Sequence, residues 1–336
     1  MSKSSPLHSI IEPARSIPVI YEADICVIGG SCTGLFAAVR AARLGARVVI
    51  VEKDNCFGGV ATTAMVNIWH SFWDTSGEKQ IIAGLSEEII ERLNKRNAVR
   101  DFGKRNPAVG YSFNSEELKI ELDELALESK LKIYFHTIFC APSIQDGQLN
   151  GVFVENKSGR GVIRAKQFID ASGDGDLAMR CGCTTYVANQ IQPATTCARF
   201  SGWDTLGEHR ETYSQQLGDH AEAFGLPKGF AWGTAMPKSR SQLLAATRVY
   251  GINPGNADDL TQAEIEGRRQ IRVIQKIIKH SIPQSNIQLE SLPSRIGLRE
   301  SRHIQCLYQL TGDDVLNGRS FDDTIALGSY RVDIHH

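Results

Sequence analysis

The stretch "DICVIGGSCTGLFAAVRAARLGARVVIVEKDNCFGGVATT", residues 24–63, constrains the fold of this chain more than any other. "DICVIGG" and "ARVVIVE" are short, β-branched and nearly continuous apolar runs, the pattern of strands buried on both faces. Between them "GLFAAVRAARLG" spaces its apolar residues as a helix does and stops at Gly45. The order strand, helix, strand is a βαβ unit. The turn from first strand to helix holds Gly29, Gly30, Ser31 and Gly34. Such a turn offers backbone amides at a positive helix end, which is what a pyrophosphate needs. Small residues there let the backbone come close. Glu52 ends the second strand, roughly 20 residues on, where a carboxylate accepts from ribose hydroxyls. Ser31 stands where a third glycine is usual. Its Cβ narrows the approach, but its hydroxyl can donate to a phosphate oxygen. The unit therefore predicts a dinucleotide site, against the alternative of a glycine turn that only packs helix on strand. Cys32, at the helix start, is either a thiol activated by the helix dipole or a small residue beneath the pyrophosphate; the second is expected.

Downstream, "FNSEELKIELDELALESK" reads as a helix with Asn114 as N-cap and Glu117 three residues on, and with Leu118, Leu122 and Leu125 on one face. "LKIYFHTIF" reads as a parallel strand. "GQLNGVFVENKSGRGVIRAKQFIDAS" reads as an antiparallel meander turned at residues 147–151 and 158–161, and "QFIDASGDGDLAMRCG" as strand, glycine turn and helix. After Cys183 the alternation ends, and residues 187–250 are irregular with β-like pieces. "TQAEIEGRRQIRVIQKIIKH" is a helix with a Thr261/Glu264 capping box and a stripe of Ile271, Ile274 and Ile278.

Composition removes several classes of function. With 42% hydrophobic and 22% charged residues the chain has the balance of a soluble globular protein. A net charge of −1 gives no reason to expect nucleic acid or an acidic membrane as partner. No apolar run is long enough to span a bilayer. The segment up to about residue 20 has no continuous apolar core, which argues against a secretory signal. Eight cysteines are scattered without a CxxC pair, so neither a metal nor an iron–sulfur site is expected. Reduced thiols and a cytoplasmic location are the simplest account.

Glu52 is followed by "KDNCFGGVATT", and the pair Gly58 and Gly59 lets the chain pass close to a long cofactor, which points to FAD rather than NAD. Here the sequence resembles the FAD-dependent oxidoreductases with a glutathione-reductase-like flavin domain, closest to the group related to the flavin-binding subunit of heterodisulfide reductase. The resemblance runs from about Tyr21 to His335 through "GGVATTAMV", "IIAGLSEEIIERL", "FNSEELK", "VFVENKSGRGVIRAKQFIDASGDGDLA", "TQAEIEGRRQ", "IGLRESRHIQCLYQLTGDDV" and "IALGSYRVDIH". It implies an α/β fold: a Rossmann-like FAD-binding domain with a parallel sheet and an antiparallel meander, followed by an α+β substrate domain. The divisions are a tail over 1–20, the FAD-binding domain over 21–186 with a helical insertion around 66–124, and a substrate or cap domain over 187–336. It also implies that Gly29, Gly30, Ser31 and Gly34 face the pyrophosphate, that Glu52 holds the adenosine ribose with Lys53 beside it, and that Gly58, Gly59 and Thr62 follow the ribityl chain. The backbone near Phe139 and Cys140 meets the adenine, and Ala171, Ser172 and Gly173 close the sheet near the cofactor.

"GDGDLA", residues 173–178, has the form of a second glycine fingerprint, but no second strand with a terminal acid follows, so it is read as the last turn of the flavin domain. "GGVATTAMVNIWH" contains no cysteine, which disfavours reduction of disulfides by a dithiol. Candidates to meet a small-molecule substrate are His70, Arg199, Arg299, Glu300 and Arg302. A guanidinium in "RESR" can clamp a carboxylate or stabilise a reduced flavin anion, or it can belong to a structural Arg–Glu network. His70 is either a catalytic group or a histidine packed in an aromatic cluster, and the aromatic run Trp69, Phe72 and Trp73 either walls a pocket or belongs to the core; the packed reading is expected for both. The family pattern continues beyond "VDIH", so the expectation is weak flavin retention and low activity for this chain alone, or a complementing or electron-transfer chain as partner. Two further readings stay open: a dinucleotide-fold protein without turnover, and an NAD-dependent dehydrogenase.

Overall fold

The computed structural model describes residues 8–103, 110–229 and 231–334. Its first βαβ unit is β1 (Val19–Ile28), α1 (Cys32–Arg43) and β2 (Val48–Val51). β1 and β2 are parallel, from Ile25 opposite Val48 to Ile28 opposite Val51. All four residues of β2 are buried, as its unbroken apolar run requires. A small antiparallel sheet follows, with β3 (Ile68–Trp69), α2 (Leu85–Lys95), β4 (Val99–Asp101) and β5 (Tyr111–Phe113) in the order β3-β5-β4. α3 (Ser115–Glu128) leads to β6 (Lys132–Tyr134), which pairs parallel with β2. β7 (Ile138–Gln145), β8 (Gln148–Asn156) and β9 (Gly159–Asp170) form the antiparallel meander, and β9 returns parallel to β1. The result is one six-stranded sheet, β6-β2-β1-β9-β8-β7. Leu35, Val39, Leu118, Leu122 and Leu125, from α1 and α3, bury one face. On the other, Cys26, Val49, Val152, Val154 and Ile163 pack together with Leu177.

Leu177 belongs to α4 (Asp176–Arg180), after which the chain leaves this sheet. The remaining elements are β10 (Thr185–Val187), β11 (Cys197–Ser201), α5 (Tyr213–His220), β12 (Trp232–Ala235), β13 (Gln242–Ala245), α6 (Ala257–Ser281), β14 (Gln288–Ser291), β15 (Arg302–Ile304) and α7 (Gly312–Leu316). β10 and β15 make an antiparallel ribbon, and β12-β13-β11-β14 make a four-stranded sheet. Phe200, Trp203, Leu244, Ile271, Ile274 and Ile278 bury that second layer, with α5 and α6 contributing. The fold is α/β with mixed parallel and antiparallel sheets. No helix among the described residues is long and apolar enough to cross a membrane.

Several boundaries differ from the sequence reading. The tail ends earlier, because Val19 already belongs to β1 and the Pro18 carbonyl accepts from the Val162 N–H at 2.9 Å. α6 begins at Ala257, a full turn before Thr261. Asn256 caps it by accepting from the Asp258 and Asp259 amides, and two acids in the first turn suit the helix end. Thr261 instead lies inside the helix with its hydroxyl donating to the Ala257 carbonyl, and Glu264 accepts from the Ile296 N–H at 2.7 Å. Asn114 does cap α3, accepting from the Glu116 N–H, while Glu117 turns away to Lys238. "LKIYFHTIF" is not one strand. His136 has φ +48°, and the amides of His136 and Thr137 donate to the Asp54 and Glu52 carbonyls, so the chain bends onto the loop after β2 and β7 starts the meander. The stretch 187–250 holds β11, β12 and β13, each too short to show a period. His335, which ends the last quoted motif, and His336 lie outside the described residues.

Candidate cofactor site

The site forms where the parallel strands β2, β1 and β9 end. Gly29 has φ +102°, and a Cβ there would sit 2.2 Å from the Ala171 carbonyl oxygen. A Cβ on Gly34 would sit 2.0 Å from the Gly29 carbonyl oxygen and 2.9 Å from the Ala171 Cβ. These two glycines let α1 and β9 close on the turn. Ser31 has φ −58° and ψ 169°, a conformation open to any residue, so nothing in the backbone demands glycine. Its hydroxyl accepts from the Gly34 N–H at 3.2 Å and caps α1. A Cβ on Gly59 would come within 3.0 Å of the Ser31 Cβ, so the glycine at 59 makes room for the serine at 31. The two loops run side by side, with the Gly58 N–H donating to the Gly30 carbonyl at 2.8 Å.

Glu52 is 6% exposed. One of its carboxylate oxygens accepts from the Gly30 N–H at 2.5 Å and the other from the Asp54 N–H at 2.8 Å. Burial pushes its pKa up, and the Asp54 and Gly30 amides pull it partly back. The carboxylate is thus held against the glycine turn and also borders an open cleft of about 260 Å³.

Nine of the sequence-selected residues line that cleft: Gly29, Ser31, Glu52 and Lys53 on one side, Gly59 at the following turn, Phe139 at the start of the meander, and Ala171, Ser172 and Gly173 at the end of β9. Gly30, Gly34, Gly58 and Thr62 stand outside the lining. Thr62 is buried, and its hydroxyl donates to the Phe57 carbonyl at 2.6 Å, so it shapes the turn while Thr63 lines the cleft. Cys140 also stands outside. Its thiol lies against the Ile138 carbonyl and its own carbonyl accepts from Arg180, while Thr137, Ile138 and Phe139 do the lining. The sequence reading did not select Arg295. It lines the cleft from the segment after β14, is ion-paired to Asp54 at 2.7 Å, and donates its backbone N–H to the Thr63 carbonyl. "PSRIG" carries no local motif, and only the fold brings it there.

The far wall is a second glycine turn. Asp170, the last residue of β9, accepts from both the amide and the hydroxyl of Ser172 and from the Ala178 N–H. Arg302 donates to the Asp174 carbonyl at 2.9 Å and to the Asp176 carboxylate at 2.7 Å. Lys53 reaches Asp174 from the opposite wall at 3.9 Å. After α4 the chain enters β10, which pairs with β15 and not with the six-stranded sheet, so "GDGDLA" opens no second βαβ unit.

The substrate-facing candidates part company. Arg302 is engaged by the glycine turn, and Glu300 lies 3.6 Å from His303. Arg299, beside the cleft-lining Leu298, donates to the Thr195 hydroxyl at 3.3 Å. It keeps solvent contact, yet the protein crowded around it pushes its pKa down, with Asp333, Cys197 and Tyr330 acting the other way. His70 packs its ring on Tyr330 with centroids 4.6 Å apart, so His70 and Arg299 share a neighbour. Arg199 pairs with Glu116 at 2.5 Å. Trp69 packs on the core under β2, and Phe72 is buried against Tyr111. Cys32 is half-buried with its thiol donating to the Gly58 carbonyl, and desolvation pushes its pKa up to about 12, which favours the small-residue reading over the activated thiol.

An adenine dinucleotide suits these residues. Gly29 and Ser31 line the cleft, the first amides of α1 lack helical partners, and Glu52 is a buried acceptor at the cleft edge.

Residues 24–336 match the family described as FAD dependent oxidoreductase. The digeranylgeranylglycerophospholipid reductase of Methanosphaerula palustris is 24% identical over 267 residues, covering 78% of this chain and 62% of that protein. Among solved structures, a geranylgeranyl bacteriochlorophyll reductase-like protein of Thermoplasma acidophilum superposes with a TM-score of 0.50 at 15% identity, over 82% of this chain and 66% of that one. The glycerol-3-phosphate dehydrogenase of Bacillus halodurans, solved with FAD, gives a TM-score of 0.51 at 15% identity, over 84% and 57%. At such identities the solved structures speak for the fold alone. The chain spans between half and two-thirds of the length of the curated relatives it matches.

Proposed function

We propose, from the premise that this chain belongs to the FAD-dependent oxidoreductase family, that it holds FAD in the cleft at the ends of β2, β1 and β9 and transfers hydride or electrons between that flavin and a small-molecule substrate. The bound flavin supplies the redox chemistry; the protein binds, orients and tunes it. In this reading the turn through Gly29, Gly30 and Ser31 and the first amides of α1 hold the pyrophosphate. Glu52 accepts from the adenosine ribose, as its place at the cleft edge beside the Gly30 amide supports. Lys53 and Arg295, each already paired to an acid across the cleft, offset the charge of Asp174 and Asp54 and leave the phosphates to the backbone. Arg299 and His70 are the groups proposed to meet substrate, and Arg302 is a positioning residue that fixes the second glycine turn.

A reductive direction is favoured by the reductases among its relatives, which act in their own right on isoprenoid lipids by their names. Kinship with the flavin subunit of heterodisulfide reductase rests on the quoted C-terminal motifs, and an electron-transfer or complementing chain and a cytoplasmic setting complete the proposal.

The observation that carries this reading is the Glu52 carboxylate, buried, hydrogen-bonded to the glycine turn and open to the cleft. The test is mass spectrometry of the nucleotide released on denaturing freshly purified protein, with visible spectra before and after dithionite. FAD and a band that bleaches and returns are expected. Folded protein that releases NAD, or that takes up no flavin when FAD is added, overturns the proposal.

A further inference from the structure

The redox reading above makes no use of the thiols. Three cysteines flank the ribbon of β10 and β15: Cys181 and Cys183 between α4 and β10, and Cys306 just after β15. Cys183 and Cys306 are exposed and unbridged. The ribbon of β10 and β15 fixes their relation. Thr185 lies opposite Ile304, Tyr186 opposite His303 and Val187 opposite Arg302. The pairing is tight, since the Tyr186 and His303 rings stack at 5.1 Å and 17°. It also runs past the named strands, because the Gln305 N–H donates to the Thr184 carbonyl at 2.9 Å. Extended by one more step, this register would set Cys183 opposite Cys306.

Directly opposed residues on an antiparallel ribbon point to the same face, and their Cα atoms lie about 4.5–5.5 Å apart. A disulfide spans about 4.4–6.8 Å between Cα atoms. We infer that Cys183 and Cys306 are a modification site, a dithiol that closes to a cross-strand disulfide. The oxidant is a low-molecular-weight disulfide. A thiolate of the pair attacks one of its sulfurs, forming a mixed disulfide and releasing one thiol. The second cysteine then attacks the protein sulfur and releases the other. Two protein thiols lose two electrons and two protons, and one small disulfide becomes two thiols.

Cys181 is the competitor nearest to Cys183. It is half-buried, and burial raises its pKa, so less of it is thiolate. The link also bears on the cleft. β15 carries Arg302, whose guanidinium holds Asp174 and Asp176, and both of these border the cleft. Closing the pair ties the base of that ribbon to the turn.

The test treats the purified chain with oxidised glutathione, alkylates the remaining thiols, digests with trypsin and maps linked peptides by tandem mass spectrometry. A peptide joining Cys183 to Cys306 is expected, lost on reduction with dithiothreitol. Cys183→Ser and Cys306→Ser should each abolish it, and Cys181→Ser should leave it. A link between Cys181 and Cys183 in the unaltered chain overturns the inference. So do glutathione adducts that remain on both Cys183 and Cys306. Circular dichroism confirms that each variant is folded before oxidation.

Discussion

At the end of β1 the chain turns through Gly29, Gly30 and Ser31 into α1; at the end of β9, the neighbouring strand, it turns through Ser172, Gly173, Asp174 and Gly175 into α4. Both turns wall the same cleft. In the first, glycine is required by lack of space, since a Cβ on Gly29 or Gly34 would strike backbone within 2.2 Å. In the second, a Cβ on Gly173 would meet nothing within 4 Å, and glycine answers only to φ +84°. What holds the second turn is charge and hydrogen bonding: Asp170 gathers Ser172 and Ala178, and Arg302 gathers Asp174 and Asp176. One turn is fixed by packing and the other by polar groups supplied from a strand far along the chain.

Alanine substitutions should separate the two most widely. Gly34→Ala forces α1 off β1 and β9 and should cost about 3 kcal/mol or more, the upper range for overpacking. Gly173→Ala meets only backbone strain and should cost about 1 kcal/mol. Urea unfolding of the two variants measures both. Equal losses would mean that the contrast between packed and open turns is wrong.

The acids at the two strand ends should differ as well. Glu52 is buried, whereas Asp170 is only partly so. In the proposed site the ribose hydroxyls donate to the ionised Glu52 carboxylate, and on that proposal FAD binding favours the deprotonated form. Burial raises that pKa above the ordinary glutamate value of 4.5. FAD affinity should therefore fall on acidification sooner than an exposed glutamate would allow. For the cofactor-free fold the sign is reversed. An acid whose folded pKa is raised favours the fold below its unfolded pKa, and that contribution is lost as pH rises through the folded value. Glu52→Gln should weaken FAD by roughly 10- to 100-fold near neutrality, the range for losing a charge-assisted hydrogen bond, and should remove both pH dependences. Titration of FAD fluorescence across the acid range tests this, and an unchanged pH profile in the variant would remove Glu52 from the ribose.

The same contrast explains what the sequence could tell. The first turn has a local signature: strand, glycines, helix, strand and Glu52 lie within one unit of chain, although Ala171, which crowds Gly29 and Gly34, comes from the end of β9. The second turn was legible as a turn but not in its fastening, because Arg302 comes from beyond α6 and β14. Arg302 read as a substrate clamp from "RESR" alone, since four residues cannot say which way each side chain points. Arg295 escaped notice for a related reason: its partner Asp54 and its backbone acceptor Thr63 are both in the first unit, distant in sequence. The start of α6 went astray because Thr261 and Glu264 have the spacing of a cap, while Asn256 with Asp258 and Asp259 forms a better one a turn earlier.

The smallest expected effect concerns the serine in the first turn, the one position there where a side chain is tolerated. Its backbone angles suit any residue, and its hydroxyl caps α1 through the Gly34 N–H. Ser31→Ala removes the cap acceptor and should cost about 1 kcal/mol, while Ser31→Gly should cost only a few tenths, because glycine is accepted at an N-cap. Room for the serine is already provided by Gly59, where a Cβ would press on Ser31. Ser31→Gly should accordingly leave FAD affinity within about threefold, less than 1 kcal/mol. Paired measurements of unfolding and FAD binding for the two variants decide the matter. If Ser31→Gly proved the more damaging to the fold, capping would not be the serine's role. If it sharpened FAD binding by an order of magnitude or more, the serine would be an obstruction that Gly59 does not relieve, and the first turn would be less well packed for its ligand than its glycines imply.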